Sequence, residues 1–85
     1  MKWALSVMTL NLYTTSACHL CDQASALLGT LQLDLVTIDI ADSDLLVAKY
    51  GIRIPVLQRT DTLAELNWPF TMHDVQQFVR PNGTL

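Results

Sequence analysis

Cys18 and Cys21 are the only cysteines in the chain, and they stand three residues apart in Cys18–His19–Leu20–Cys21. Three positions is close to one helical turn, so the second sulfur returns beside the first and suits a short intramolecular disulfide. A helix that starts at this pair exposes unpaired amides and the positive end of its dipole. A thiolate placed there is stabilised, and its pKa falls below the free value of roughly 8.5. Only the thiolate attacks a disulfide. The chemistry expected is therefore thiol–disulfide exchange. Cys18 attacks a substrate disulfide and forms a mixed disulfide. Cys21, nearer the interior, then attacks Cys18 and releases the reduced substrate.

The rival chemistry is metal binding. Structural zinc needs four ligands. Cys18, Cys21, His19 and His73 are the only Cys and His in the chain, and His73 is far off in sequence, so no metal ligand is assigned. Two other readings stay open: a non-catalytic binding module, and an iron–sulfur cluster shared between two copies through Cys18. An unshifted Cys18 thiol favours the first; metal analysis and the absorption spectrum of anaerobic protein test the second. His19 either tunes the thiolate, titrating near neutral pH, or is a solvated neighbour. Asp22 favours the helix dipole, while its charge near a thiol raises the thiol pKa.

Several elements must position this pair. Thr9–Leu10–Asn11–Leu12–Tyr13 has leucines at alternate positions and is expected to be a strand. The polar loop Thr14–Thr15–Ser16–Ala17 follows, with Thr15 or Ser16 as candidate helix cap. Cys21, Ala24, Ala26, Leu27, Leu28 and Leu31 recur at helical spacing, which predicts a helix from about Cys18 to Thr30. Leu35–Ile40 is expected to be a strand, its β-branched residues suiting a buried parallel position. Asp42–Ser43–Asp44 caps a second helix over Leu45–Tyr50, and Gly51 stops it. Ile52–Arg53–Ile54–Pro55 leads into a third strand through Arg59. Thr60–Asp61–Thr62 turns the chain into a fourth strand over Leu63–Asn67. Thr71 and Asp74 have the spacing of a capping box for a last helix to about Val79, with Met72, Val75, Phe78 and Val79 as its apolar stripe. His73 is expected to be exposed, and Trp68 and Phe70 to pack in the core or at its edge. The order is β-α-β-α-β-β-α. A strand–helix–strand unit makes a right-handed parallel pair. An α/β fold with one four-stranded mixed sheet flanked by three helices is expected.

The chain has 85 residues, 51% of them hydrophobic and 15% charged, with a net charge of −3. That length fits one domain, residues 1–85. The composition allows an ordinary core and excludes a disordered chain. The five basic residues are scattered, which argues against nucleic acid, since phosphates need clustered Lys and Arg. No apolar run is long enough to span a bilayer, and the stretch Trp3–Met8 is too short for a signal-peptide core. A cytoplasmic monomer with no membrane partner is expected. Met8 is an alternative start to Met1, because the first strand begins just after it.

Cys18–His19–Leu20–Cys21 after a strand, this element order, and Tyr50–Gly51–Ile52–Arg53–Ile54–Pro55–Val56–Leu57 together resemble the thioredoxin superfamily. Leu12 and Tyr13, then Cys18 to Asp22, are most similar to a small bacterial glutaredoxin-like family that carries Leu–Tyr and Cys–His–Leu–Cys–Asp. The resemblance runs from Thr9 to Val79. It implies a thioredoxin-like fold and a redox-active disulfide, with Cys18 as nucleophile and Cys21 as resolving thiol. It also implies a cis Ile54–Pro55 bond packed against the pair, with the Ile54 backbone free to pair with a substrate chain. His19, Leu20 and Asp22 are then active-site neighbours.

The implied activity is that of a thiol–disulfide oxidoreductase serving redox homeostasis and electron transport. It needs no cofactor beyond its dithiol. Its partners are disulfide-containing proteins or small thiols, with glutathione or a reductase as electron donor. The chain departs from typical glutaredoxins in several places. His19–Leu20 replaces Pro–Tyr between the cysteines. Thr14–Ser16 stands where a Lys often precedes them, and Arg53–Ile54–Pro55 replaces Thr–Val–Pro. Leu66–Thr71 replaces the Gly–Gly and Asp segment that holds glutathione. Thr15, Arg53 and Thr71 are the candidate contacts for a substrate or for glutathione as co-substrate.

Overall fold

Alternation along the first strand divides its side chains between two layers of core. The computed structural model describes residues 9–80; the choice between Met1 and Met8 lies outside them. Strand β1 is Thr9–Thr14. Its Leu10 and Leu12 are fully buried with Ala24, Leu28, Leu57, Phe70 and Val75. Tyr13 points the other way and packs with Ile40, Tyr50 and Val56. Each such fully buried Leu, Val, Ile or Phe side chain is worth roughly 1.5–3 kcal/mol of transfer free energy.

Helix α1 spans His19–Leu28 and buries Cys21, Ala24 and Leu28, the stripe expected from helical spacing. Ala26 lies on its solvent face. The helix stops short of Thr30 because local bonds take over its last carbonyls. The Thr30 N–H donates to the Leu27 carbonyl at 3.2 Å, three residues back and not four, and the Thr30 hydroxyl donates to the same carbonyl at 2.7 Å.

Strand β2 is Asp34–Asp39 and pairs in parallel with β1. A single 3-10 turn, Ile40–Asp42, leads into helix α2, Asp44–Tyr50. Ser43 is the N-cap of α2, its hydroxyl accepting from the Leu46 N–H at 3.4 Å. Strand β3, Val56–Arg59, is buried throughout, and β4, Glu65–Asn67, pairs antiparallel with it. Helix α3 is Met72–Phe78. Its capping box is formed: the Asp74 N–H donates to the Thr71 hydroxyl at 3.1 Å, and the Thr71 N–H donates to Asp74 Oδ2 at 2.9 Å. Val75 is fully buried in the core. Phe78 and Val79 pack at its edge, while Met72 and His73 are exposed. Trp68 meets Phe70 edge to face, 5.0 Å between centroids. Both the Ile54–Pro55 and the Trp68–Pro69 bonds are cis.

The strand order is β2-β1-β3-β4, a mixed four-stranded sheet. Residues of α1 and α3 share one core cluster and residues of α2 the other, so the helices flank both faces. The fold is thioredoxin-like, as the resemblance implied. One expectation is corrected by this order. Strand β2 is not buried: Val36 is 46% exposed and Thr37 is exposed. A strand has only two edges for pairing; the hairpin β3–β4 takes one side of β1 and leaves β2 as the sheet's rim.

The fourth strand also begins later than its residue types suggest. Leu63 has φ 66°, in the left-handed region, and its N–H closes the turn onto the Arg59 carbonyl at 3.1 Å. Pairing resumes when the Arg59 N–H donates to the Ala64 carbonyl at 3.0 Å. A leucine pays a steric cost in that conformation of roughly 1–2 kcal/mol. Because Leu63 is 65% exposed, its side chain supplies little packing in return. Leu63→Gly is expected to raise stability by about 0.5 kcal/mol, the relief being partly offset by glycine's larger unfolded-state entropy. Urea denaturation measures this; a loss of stability contradicts the account.

Arg59 is the least expected core residue, 1% exposed at the end of β3. Its Nε and Nη2 donate to the two Asp61 carboxylate oxygens at 2.9 and 2.7 Å. Its Nη1 donates to the carbonyls of Phe78 and Arg80, both at 2.7 Å. One guanidinium thus closes the β3–β4 turn and donates to open carbonyls at the C-terminal end of α3.

Candidate active site

The cysteine pair sits where β1 hands over to α1. Ala17 takes a left-handed conformation, φ 56°, and turns the chain so that Cys18 lands one residue before the helix. Cys18 itself is the N-cap, not Thr15 or Ser16. Its Sγ accepts the Cys21 N–H at 3.2 Å, and its carbonyl accepts from the Asp22 N–H at 3.0 Å. The sulfur therefore takes the place that a serine or aspartate oxygen fills in an ordinary cap. The Cys18 and Cys21 sulfurs are joined in a disulfide, with Cα atoms 5.2 Å apart. Cys21 is buried at 2% exposure, whereas Cys18 is half-buried. The accessible sulfur is the one at the cap.

His19, Leu20 and Asp22 all lie exposed in the first turn of α1. Register across the sheet brings the remaining pieces to the same end. Tyr13 pairs with Ile38 on one side and Val56 on the other, and Val56 pairs with Asn67. The loop to Cys18, the Ile54–Pro55 turn and the end of β4 thus leave the sheet together. Pro55 is buried and Ile54 half-buried. The Ile54 N–H donates to the Tyr50 carbonyl at 3.1 Å, so this backbone group, implied free by the resemblance, is engaged inside the chain.

The candidate ligand contacts are also engaged. Arg53 Nη2 donates to Glu65 Oε1 at 2.6 Å and Asn67 Oδ1 at 3.1 Å. Both the hydroxyl and the N–H of Thr71 are matched to Asp74. Thr15 is half-buried in the loop before the cysteines. Among the described residues no group of three or more His, Cys, Asp or Glu is placed to hold a metal ion. No helix among them is long and apolar enough to cross a membrane.

Behind the site lies a polar and aromatic cluster that residue types alone did not reveal. The Tyr13 and Tyr50 rings stack at 4.1 Å between centroids. Tyr13 donates its hydroxyl to Gln58 Oε1 at 2.7 Å, and Tyr50 donates to Glu65 Oε2 at 2.6 Å. Burial, then the bond to Glu65, pushes the Tyr50 phenol up, so it stays a donor. Burial also pushes the Glu65 carboxyl up, but the bonds from Tyr50 and Arg53 outweigh it and hold that carboxyl below its usual range. The signal for this cluster was period-two alternation: Gln58 and Glu65 are polar yet face the same layer as Val56 and Tyr13.

Comparison with known proteins agrees with the geometry. The chain resembles the crystal structure of target protein XcR50 from X. campestris at 35% identity and a TM-score of 0.76, covering 82% of this chain and 93% of that one. The solution structure of the same target gives 34% identity and a TM-score of 0.70, over 82% and 90%. Protein Ne2328 from Nitrosomonas europaea shares the fold at 24% identity and a TM-score of 0.71, over 87% and 93%. No curated protein matches. The family model for the Glutaredoxin-like domain (DUF836) matches residues 9–80. With the Cys18–Cys21 pair at a helix start on a thioredoxin-like sheet, the chain belongs to that glutaredoxin-like family.

Proposed function

We propose that the chain is a thiol–disulfide oxidoreductase that works by dithiol–disulfide exchange. The observation that carries this reading is the Cys18 sulfur at the cap of α1, accepting an amide N–H and bonded to the buried sulfur of Cys21. In the reduced form, the Cys18 thiolate attacks one sulfur of a substrate disulfide and the other sulfur leaves as a thiolate. Cys21 then displaces the captured sulfur from Cys18, and the Cys18–Cys21 disulfide returns. Two electrons pass from the pair to the substrate in each cycle. No further cofactor enters. Electrons return from glutathione, a reductase or a thiol protein, which suits a reducing cytoplasm.

A redox titration against glutathione buffers, with the thiols then alkylated and counted by mass, tests this. One two-electron transition shared by both cysteines is expected. The alkylation rate of Cys18 should titrate below roughly 8.5, the value of a free thiol, because the cap amide stabilises the anion. Two independent one-thiol transitions, or an unshifted Cys18, count against the reading.

A further inference from the structure

Ile54 and Pro55 reach the cysteine end of the sheet on a turn whose conformation is set from outside. Within it, the Arg53 and Ile54 N–H groups both donate to the Tyr50 carbonyl, at 2.7 and 3.1 Å. The turn is fastened to the sheet at two points, and both fastenings end on one carboxylate. Tyr50 donates its hydroxyl to Glu65 Oε2 and Arg53 donates Nη2 to Glu65 Oε1, each at 2.6 Å. Glu65 stands in β4, register-paired with Gln58 of the buried central strand, so it moves with the sheet and not with the turn. Tyr50 is 1% exposed, stacked on Tyr13, with the Arg53 guanidinium 5.2 Å from its ring.

We infer that Glu65 is a positioning residue: by holding the Tyr50 hydroxyl and the Arg53 guanidinium together, it keeps Ile54–Pro55 in place beside the path of a polypeptide disulfide to Cys18. The inference rests on the exchange function proposed above and deepens it by assigning substrate size to that turn. A polypeptide must lie along the end of the sheet to bring its disulfide to the half-buried Cys18 sulfur. A small disulfide touches that sulfur and little else. Loss of the fastening therefore raises the cost of ordering the turn only for the larger substrate.

The test uses the full chain, with insulin as polypeptide disulfide and hydroxyethyl disulfide as small one. For Glu65→Ala the KM for insulin should rise about tenfold, with kcat within about twofold; uniform binding is lost while the chemical step is kept. Kinetics with hydroxyethyl disulfide should stay within about twofold. Glu65→Gln should fall between, since its amide oxygen still accepts the Tyr50 hydroxyl, and it covers the case in which the alanine variant folds poorly. Hydrogen exchange at the Arg53 and Ile54 amides should quicken about tenfold or more, while exchange at Leu12 is unchanged. Equal losses with both substrates, an unchanged insulin KM, or unaltered exchange at those two amides overturns the inference. If the unaltered protein reduces neither disulfide, the exchange function fails. The amide exchange then decides by itself whether Glu65 fastens the turn.

Discussion

Cys18→Ser should lower disulfide reduction by at least about a thousandfold, because a serine hydroxyl is not ionised near neutral pH and does not attack sulfur. The same change should leave the fold intact: a serine oxygen accepts a cap N–H at least as well as the sulfur does. Cys21→Ser has a different signature. Cys18 keeps its place at the cap, where its Sγ accepts an amide, so attack still occurs. The resolving step is missing, and the mixed disulfide with the substrate should accumulate and be visible by intact mass. Rates of hydroxyethyl disulfide reduction and mass spectra of trapped adducts separate the two roles. Full activity in Cys18→Ser, or an adduct on Cys21 in place of Cys18, contradicts the assignment. Burial supports the order of attack, since Cys21 is 2% exposed and a thiol in such surroundings resists ionisation.

Arg59→Met should be the most damaging change away from the cysteines, at roughly 2–4 kcal/mol. The side chain lies 1% exposed and its bonds to Phe78 and Arg80 carbonyls are charge-assisted. Removing it strands acceptors at the end of α3, and each bond to a charged group is worth about 1.5–3 kcal/mol. The Asp61 side of the pair adds little, because that carboxylate is 44% exposed. For a domain of this size, 2 kcal/mol lowers Tm by about 8 °C or more. Arg59→Lys should recover only part of the loss, since one ammonium does not match both the carboxylate and two carbonyls. Urea denaturation and thermal melting check this, and a shift below about 1 kcal/mol refutes it.

The same pair gives the protein a small acid-sensitive element, screened by solvent at the exposed Asp61 carboxylate. The Arg59 hydrogen bond holds the Asp61 carboxyl at about 2, down from 3.8. A carboxyl lowered on folding stabilises the folded state above its unfolded pKa, and that contribution fades as pH falls from about 4 towards 2. It should be absent in Arg59→Met. Stability measured across this range in both proteins isolates it by difference.

What local pattern could carry was legible. Helix starts at Ser43 and Thr71 rest on side-chain caps within three residues of their partners. The leucine alternation of β1 and the stripe Cys21, Ala24 and Leu28 are likewise written at short range. Residue type points to Thr15 or Ser16 as the cap because thiols are uncommon caps; in the structure the Cys18 sulfur performs that role itself. Leu63 has the residue type expected of the strand, but a left-handed turn overrides that propensity.

In its amino-acid order alone, this chain determined the succession of strands and helices and the spacing of two thiols at a helix start. Those depend on contacts between near neighbours. Tertiary structure decided the rest: β2 at the rim of the sheet, Arg59 inside it, and Glu65 gathering Tyr50 and Arg53. Tyr13 and Gln58 meet across 45 positions, and Arg59 and Phe78 across 19. Such pairings follow from which strand lies beside which, and that is settled only when the whole sheet buries both its faces at once.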